Sequence, residues 1–339
     1  MSPDFRNYHT VQQFLTLPAA SLLILCCVAQ KYIQKDINKP RDHTLMMGSK
    51  RMEDNAGLLL LNRGFTVKSL SGCCFDMIAR KGSRILLIKA MSDANALSEH
   101  YAEQMSNIGR YMDASPVIIA ERAGGALEDN VVYSRNSIYT VNQNTFRNII
   151  DNRLPYVFSS RAGLSANLDS ERLRAAAEDN GMSISDISRR MGVSRRMMAR
   201  YEAGSSITLS RAQKIYGMFG HSVFEKIDIF SGCSRQARNI ENPITRKYCE
   251  LGFDASGTRN APFDVVARKQ DELILTEVGD RAGPHSSSLS RLVDADSLLI
   301  FSRKRPKDSD IPSLAKDEFM EFEESDDLKL RILVSNRND

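Results

Sequence analysis

Two stretches of this 339-residue chain align without a gap at an offset of 188 residues, and any fold has to accommodate both. GFTVKSLSGCCFDMIARKGSRILLIKA begins at Gly64, and GFDASGTRNAPFDVVARKQDELILTEV begins at Gly252. Eight of 27 positions are identical, among them Phe75/Phe263, Asp76/Asp264, Ala79/Ala267, Arg80/Arg268 and Leu87/Leu275. A second block, DASPVIIAER from Asp113 and DADSLLIFSR from Asp294, aligns at an offset of 181. Self-similarity of this kind indicates a duplicated structural unit. Each copy carries two short runs rich in branched apolar residues, such as FDMIARK and RILLIKA, parted by turn residues. A helix-spaced segment and a continuous apolar strand follow, which predicts hairpin, helix, strand and a mixed sheet backed by helices.

Between the copies lies a stretch of different character. The whole chain carries only +4, from 46 basic and 42 acidic residues, so attraction to nucleic acid has to come from locally clustered charge. With no Trp and 7% aromatics there is little material for stacking on single strands. Residues 168–230 supply the local cluster. LDSERLRAAAEDNG predicts a helix that starts near Asp169 and stops at Asn180-Gly181. In SISDISRRMG, Ser183 and Asp186 form an [ST]-x-x-[DE] capping box, and Gly192 ends the helix. Val193 plugs the turn and Ser194 caps RRMMARYEA. Ser188 is small where two crossing helices leave little room, and Gly192 can take the positive φ of a tight turn. Val193, Met198 and Tyr201 then point inward, leaving Arg195, Arg196, Ala199 and Arg200 outward. Five arginines (189, 190, 195, 196, 200) fall within twelve residues that hold no acid. Arginine pairs bidentately with guanine and neutralises phosphate. Two further helices are expected, over 209–219 and 222–229.

ISDISRRMGVSRRMMARYEAG resembles the Cro/repressor-type helix-turn-helix family. That resemblance implies a central all-α five-helix domain that reads the major groove of double-stranded DNA. Carried over by position, it implies base contacts from Arg195, Arg196 and Ala199, and phosphate contacts near Ser183, Ser194, Arg200 and Ser205. Ser188 stands where the family usually has alanine, a mild departure. The plainer alternative is a small helical bundle whose arginines solvate one face.

The flanking copies resemble the PD-(D/E)xK nuclease fold, in which an Asp on one strand and an acid-x-Lys on the next hold a metal and a water. Here the set is broken in both. Asp76 is followed by Leu87-Ile88-Lys89, so the second acid is missing, and Asp264 by Glu277-Val278-Gly279, so the lysine is missing. A lone carboxylate holds a divalent cation poorly. The units therefore read as degenerate, the chain as not an enzyme, and Asp76 and Asp264 as strand-end side chains tied to a turn. Two other classes remain open: a DNA-directed nuclease or its inactive remnant, and a protein-interaction adaptor of the transcription machinery.

The six cysteines and five histidines show no metal-ligand spacing, so neither zinc nor any other cofactor is expected. Residues 14–29 are apolar but short for a membrane span and contain Pro18. Residues 1–46 read as a leader, either untranslated upstream of Met46 or Met47, or a disordered tail, with a membrane signal as the remaining reading. The expected domains are an α/β unit over 47–155, a linker over 156–167, the helix-turn-helix domain over 168–230, a linker over 231–243, and a second α/β unit with a polar tail over 244–339. The whole arrangement is similar to a family of archaeal helix-turn-helix transcriptional regulators. The resemblance implies a cytoplasmic, sequence-specific DNA-binding regulator. A single such domain reads few base pairs, so a homodimer on two half-sites is expected. The sequence singles out no small-molecule effector.

Overall fold

Among the described residues, alternating and continuous apolar runs build two sheets, with a helical layer inserted between them in the chain. The computed structural model describes residues 42–231, 239–306 and 311–337; the apolar run 14–29 and nearly all of the leader lie outside them. No helix among the described residues is long and apolar enough to cross a membrane.

Helix α1 (Asp42–Asn62) leads into β1 (Thr66–Ser69), β2 (Met77–Lys81) and β3 (Arg84–Asp93), an antiparallel trio. The Ser98 hydroxyl accepts from the Tyr101 N–H to cap α2 (Glu99–Tyr111), which crosses over to β4 (Ala114–Ala123), parallel to β3. Parallel pairing needs such a crossover, and the buried β4 reads as the unbroken apolar run that this environment requires. The strands β5 (Gly125–Ala126), β6 (Val131–Arg135) and β7 (Ile138–Val141) and helix α3 (Gln143–Ile150) complete the first unit.

Residues 156–167, expected as a linker, instead hold a hairpin, β8 (Val157–Ser160) and β9 (Gly163–Ala166). β8 pairs with β6, and β9 pairs with β10 (Ile207–Thr208), so one 10-stranded sheet runs from the first unit into the helical domain. A Ser160–Ser165 hydroxyl contact of 3.0 Å helps close the hairpin. Ser160 also donates to the Gly163 carbonyl at 2.8 Å, so serine and glycine close this tight turn.

The helical domain comprises α4 (Ser170–Asp179), α5 (Ile184–Met191), α6 (Arg195–Glu202) and α7 (Leu209–Phe219). The helix expected over 222–229 is absent. The Asp169 and Glu225 N–H groups instead donate to the Val223 and Asn167 carbonyls, in extended pairing around a Leu168–Phe224 bridge. Extension has a physical reason. Phe224 is buried in the helical core and Ile229 in the core of the first α/β unit, five residues later. Five extended residues reach about 16 Å, twice what a helix would span.

The second unit follows as α8 (Pro243–Glu250), β11 (Asp254–Gly257), β12 (Val265–Lys269), β13 (Glu272–Val278), α9 (Ser286–Val293), β14 (Asp296–Phe301), β15 (Ser313–Ala315), α10 (Lys316–Glu321) and α11 (Ser325–Arg337). Its sheet has the order β11-β12-β13-β14-β15. The two units pair their strands in the same register: Thr66 opposite Arg80 as Asp254 is opposite Arg268, and Leu86 beside Ser115 as Ile274 is beside Asp296. They also share a core, in which Phe75, Ile78, Met105 and Ile108 pack with Phe263, Val266, Leu275 and Leu289. Each large apolar side chain fully buried there contributes about 1.5–3 kcal/mol.

The polar contacts across this shared core are reciprocal. Arg80 donates from Nη1 to the Leu292 carbonyl at 2.9 Å and pairs with Asp294, while Arg268 donates from Nη1 to the Tyr111 carbonyl at 2.7 Å and pairs with Asp113. Each arginine thus closes the C-terminal end of the other unit's crossover helix. Asp113 and Asp294 both sit in the left-handed region, at φ 50° and 54°, which turns each chain from helix into strand.

Candidate nucleic-acid interface

The helix-turn-helix is α5, a turn at Gly192-Val193 and α6. The Ser183 hydroxyl accepts from the Asp186 N–H, and the Asp186 carboxylate accepts from the Ser183 N–H at 3.1 Å, a full capping box. Bonding to the Ser183 hydroxyl, and then to its N–H, holds the Asp186 carboxyl below its ordinary range. Gly192 has φ 72° and ψ 39°, and its N–H donates back to Arg189 and Ser188. Ser188 is buried, its hydroxyl donating to the Ser185 carbonyl at 2.9 Å, as a small residue at a helix crossing can. Ser194 caps α6 by accepting from the Met197 N–H. Ile187, Met191, Met198 and Tyr201 are buried in the helical core, and Val193 packs against it half-buried.

Arg195, Arg196, Ala199 and Arg200 are exposed, as are Ser183 and Ser194; Ser205 is half-buried just past the end of α6. Five of these residues therefore fall on or at the start of α6, while Ser183 sits at the start of α5 and Ser205 beyond Gly204. Arg189 pairs with Asp186 at 3.3 Å. Arg190, Arg195, Arg196 and Arg200 have no carboxylate partner among the described residues. Four arginines on one short motif with no carboxylate attached make a surface that attracts polyanions.

Two supports of the motif were not legible in its local pattern. Lys214, on α7, donates to the Met191 carbonyl at 3.0 Å, placing a cation at the C-terminal end of α5. Arg211 donates to the Tyr201 hydroxyl at 2.6 Å, which fixes the last turn of α6. Both act from a neighbouring helix, so spacing within 183–205 carries no trace of them.

The strand-end aspartates are held by neighbouring strands rather than by turns. Asp76 accepts from Lys89 Nζ at 2.6 Å and from the Ala90 N–H at 2.8 Å. Asp264 accepts from the Val278 N–H at 2.7 Å. Burial, and then the charge of Asp76, raises the Glu53 carboxyl on α1 above its usual range. Glu277 is buried, accepts from the Gly283 N–H at 2.6 Å, and is likewise raised, by burial first.

The family model for a helix-turn-helix matches residues 173–220, and that for a PD-(D/E)XK superfamily domain matches residues 49–155. A protein of Archaeoglobus fulgidus named "Putative HTH-type transcriptional regulatory protein" is 36% identical over 211 residues, covering 60% of this chain and 68% of its own. A Methanospirillum hungatei protein of the same name is 32% identical, covering 69% of this chain and 80% of its own. One from Thermococcus kodakarensis is 28% identical and covers 83% and 95%. The chain belongs to this family. No solved structure matches it.

In this member of the HTH-type regulatory family a PD-(D/E)XK-like unit and a helix-turn-helix stand in one chain. The divalent metal that the nuclease-like fold implies does not fit the residues present. In the first unit one Asp76 oxygen is paired with Lys89 and the other with a backbone N–H, and Leu87, where a second carboxylate would stand, is buried and apolar. In the second unit Asp264 accepts from the Val278 N–H and Glu277 from the Gly283 N–H, and Gly279 stands in place of the lysine. Among the described residues no three His, Cys, Asp or Glu side chains converge as a metal-holding group.

Proposed function

We propose that this member of the family is a sequence-specific double-stranded DNA-binding regulator of transcription, with α6 in the major groove. In this reading Arg195, Arg196 and Ala199 meet base edges, and Ser183, Ser194, Arg200 and Ser205 meet phosphates. The observation that carries it is the group of exposed, carboxylate-free arginines on a helix whose N-terminus is held by Ser194 and whose approach is fixed by Gly192. Such a helix presents its first turn to a groove, where bidentate arginine reads guanine. Two half-sites one helical turn apart would give useful specificity, which favours a homodimer on the operator. In a prokaryotic cell such a regulator acts in the cytoplasm, where the chromosome lies.

The two α/β units are read as copies of one ancestral unit without catalytic activity, serving as scaffold for the helical domain. Their shared register and reciprocal arginine caps support the duplication, and the broken acid–lysine sets support the loss of chemistry. In this division the first α/β unit ends near residue 155, the helical domain with its β8–β9 hairpin runs to about residue 231, and the second unit begins near residue 243.

The test is a duplex-binding titration across salt with wild type and Arg195→Ala/Arg196→Ala. Wild type is expected to bind one sequence far above competitor DNA, and the variant to lose that preference. Binding by the variant equal to wild type would overturn the assignment of α6.

A further inference from the structure

The reciprocity of the two α/β units breaks beside the two capping arginines. On one side of the shared core the space beside Arg268 is filled. Tyr111 donates its hydroxyl to Asp254 at 2.7 Å, Arg110 lies 3.8 Å from the same carboxylate, and Asn107 donates to the Ser256 hydroxyl at 2.8 Å. Asn239 joins the cluster by accepting from Arg110 at 2.7 Å. On the opposite side, beside Arg80, the corresponding residues leave a cleft of about 440 Å³. The offsets 188 and 181 pair Asp254 with Thr66, Ser256 with Lys68, Asn107 with Ser288, Arg110 with Arg291 and Tyr111 with Leu292. All five of these counterparts line the cleft.

The exchange alters the charge as well as the volume. The filled side sets Arg110 against Asp254. The open side keeps the arginine as Arg291, removes the acid in favour of Thr66, and adds Lys68. Arg80 is committed to Asp294, the one carboxylate on the cleft wall. Arg291 donates to the Ser287 hydroxyl at 2.8 Å, and neither it nor Lys68 has an ion pair among the described residues. Two cations thus flank a space that, on the other side, holds a carboxylate. A guanidinium and an ammonium around a small concavity suit an oxyanion, which one can grip in a fork and the other as a point charge.

We propose that this cleft between the two α/β units binds a small ligand through a carboxylate or phosphate group, which takes the place that Asp254 occupies on the filled side. Because both units contribute walls, such a ligand bridges them and stabilises their association. The site is remote in sequence from α6, and the inference does not depend on DNA binding.

Thermal unfolding of the full chain tests it, with inorganic phosphate and citrate as probes and sodium chloride matched in ionic strength. Wild type is expected to show a saturable rise in Tm of about 2 °C or more with at least one of the two anions, the better one naming the ligand's acid group. Thr66→Asp supplies the missing carboxylate from within and should abolish the rise. Lys68→Ala/Arg291→Ala should abolish it by removing the cations, and keeps the test decisive if Thr66→Asp fails to fold. Arg195→Ala/Arg196→Ala should respond as wild type does. Equal rises in every variant, or no rise beyond chloride in wild type, would overturn the proposal. So would a rise lost only in the α6 variant, which would place the anion on the helix-turn-helix. Loss of duplex affinity in Thr66→Asp without any small-anion response would assign the cleft to the DNA backbone instead.

Discussion

Arg268 and Arg80 perform the same task on opposite units: each donates to the last carbonyl region of the other unit's crossover helix and pairs with the aspartate that follows it. Both guanidiniums also donate from Nε to a carbonyl of their own hairpin turn, at Gln270 and Gly82, so their forks are held before they cross the interface. Helix C-termini carry unsatisfied carbonyls and a partial negative charge, which a cation placed there relieves.

Arg268→Ala is therefore expected to destabilise the chain by about 1–3 kcal/mol, since a charge-assisted bond to a partly buried carbonyl is lost with the cap. Arg80→Ala should cost a similar amount. Chemical denaturation of each single variant measures this, and a change within about 0.5 kcal/mol for both would remove the arginines from the account of the interface.

Ser188→Leu inserts a large side chain at a buried helix crossing and should cost about 1–3 kcal/mol through overpacking. Gly192→Ala should cost about 1 kcal/mol for a different reason. The nearest atom to an added Cβ is Lys214 Nζ at 3.8 Å, so space is available and the penalty comes from φ 72° alone. Circular dichroism melts of the two variants check both, and a Gly192→Ala melt like wild type would contradict the turn geometry.

Arg200→Ala is expected to weaken duplex binding about equally across sequences and to lower the salt slope by about 1. Arg195→Ala or Arg196→Ala should instead cost about 1–3 kcal/mol at the preferred site and relax the choice of base there. Titrations at several salt concentrations separate the two behaviours.

Glu277 gives a pH dependence of known sign. Burial raises its carboxyl in the folded chain above the value of about 4.3 it has when unfolded, so the unfolded state releases the proton first. Its contribution is fully present below that unfolded value and is lost as pH rises through the folded one. Glu277→Gln keeps an acceptor for the Gly283 N–H and carries no charge, so it should stabilise the chain at pH 7 and lose that advantage toward pH 4. A stability difference that does not change with pH would contradict the burial of this carboxyl.

The helix-turn-helix was legible because its determinants are local. Ser183, Ser188, Gly192 and Ser194 each act within four residues of their own position, where capping and turn chemistry operate. The hairpin-helix-strand order of both flanking units was legible too, from short branched runs parted by turn residues. What the sequence hid depends on distant partners. Residues 222–229 have apolar positions that suit a helix, yet Phe224 and Ile229 belong to two different cores and only an extended chain reaches both. The hairpin over 157–166 looked like a linker because its pairing partner, Val131–Arg135, lies far back in the chain. Arg80 and Arg268 stood out as repeated residues, but their reciprocal role appears only when the two units face each other.

Selection from random duplex DNA with the full chain, at about 0.15 M salt and beside Arg195→Ala/Arg196→Ala, decides whether α6 reads sequence. A two-fold-symmetric motif enriched by wild type and lost in the variant is the predicted result. Enrichment of the same motif by both proteins, or none by folded wild type, would contradict it.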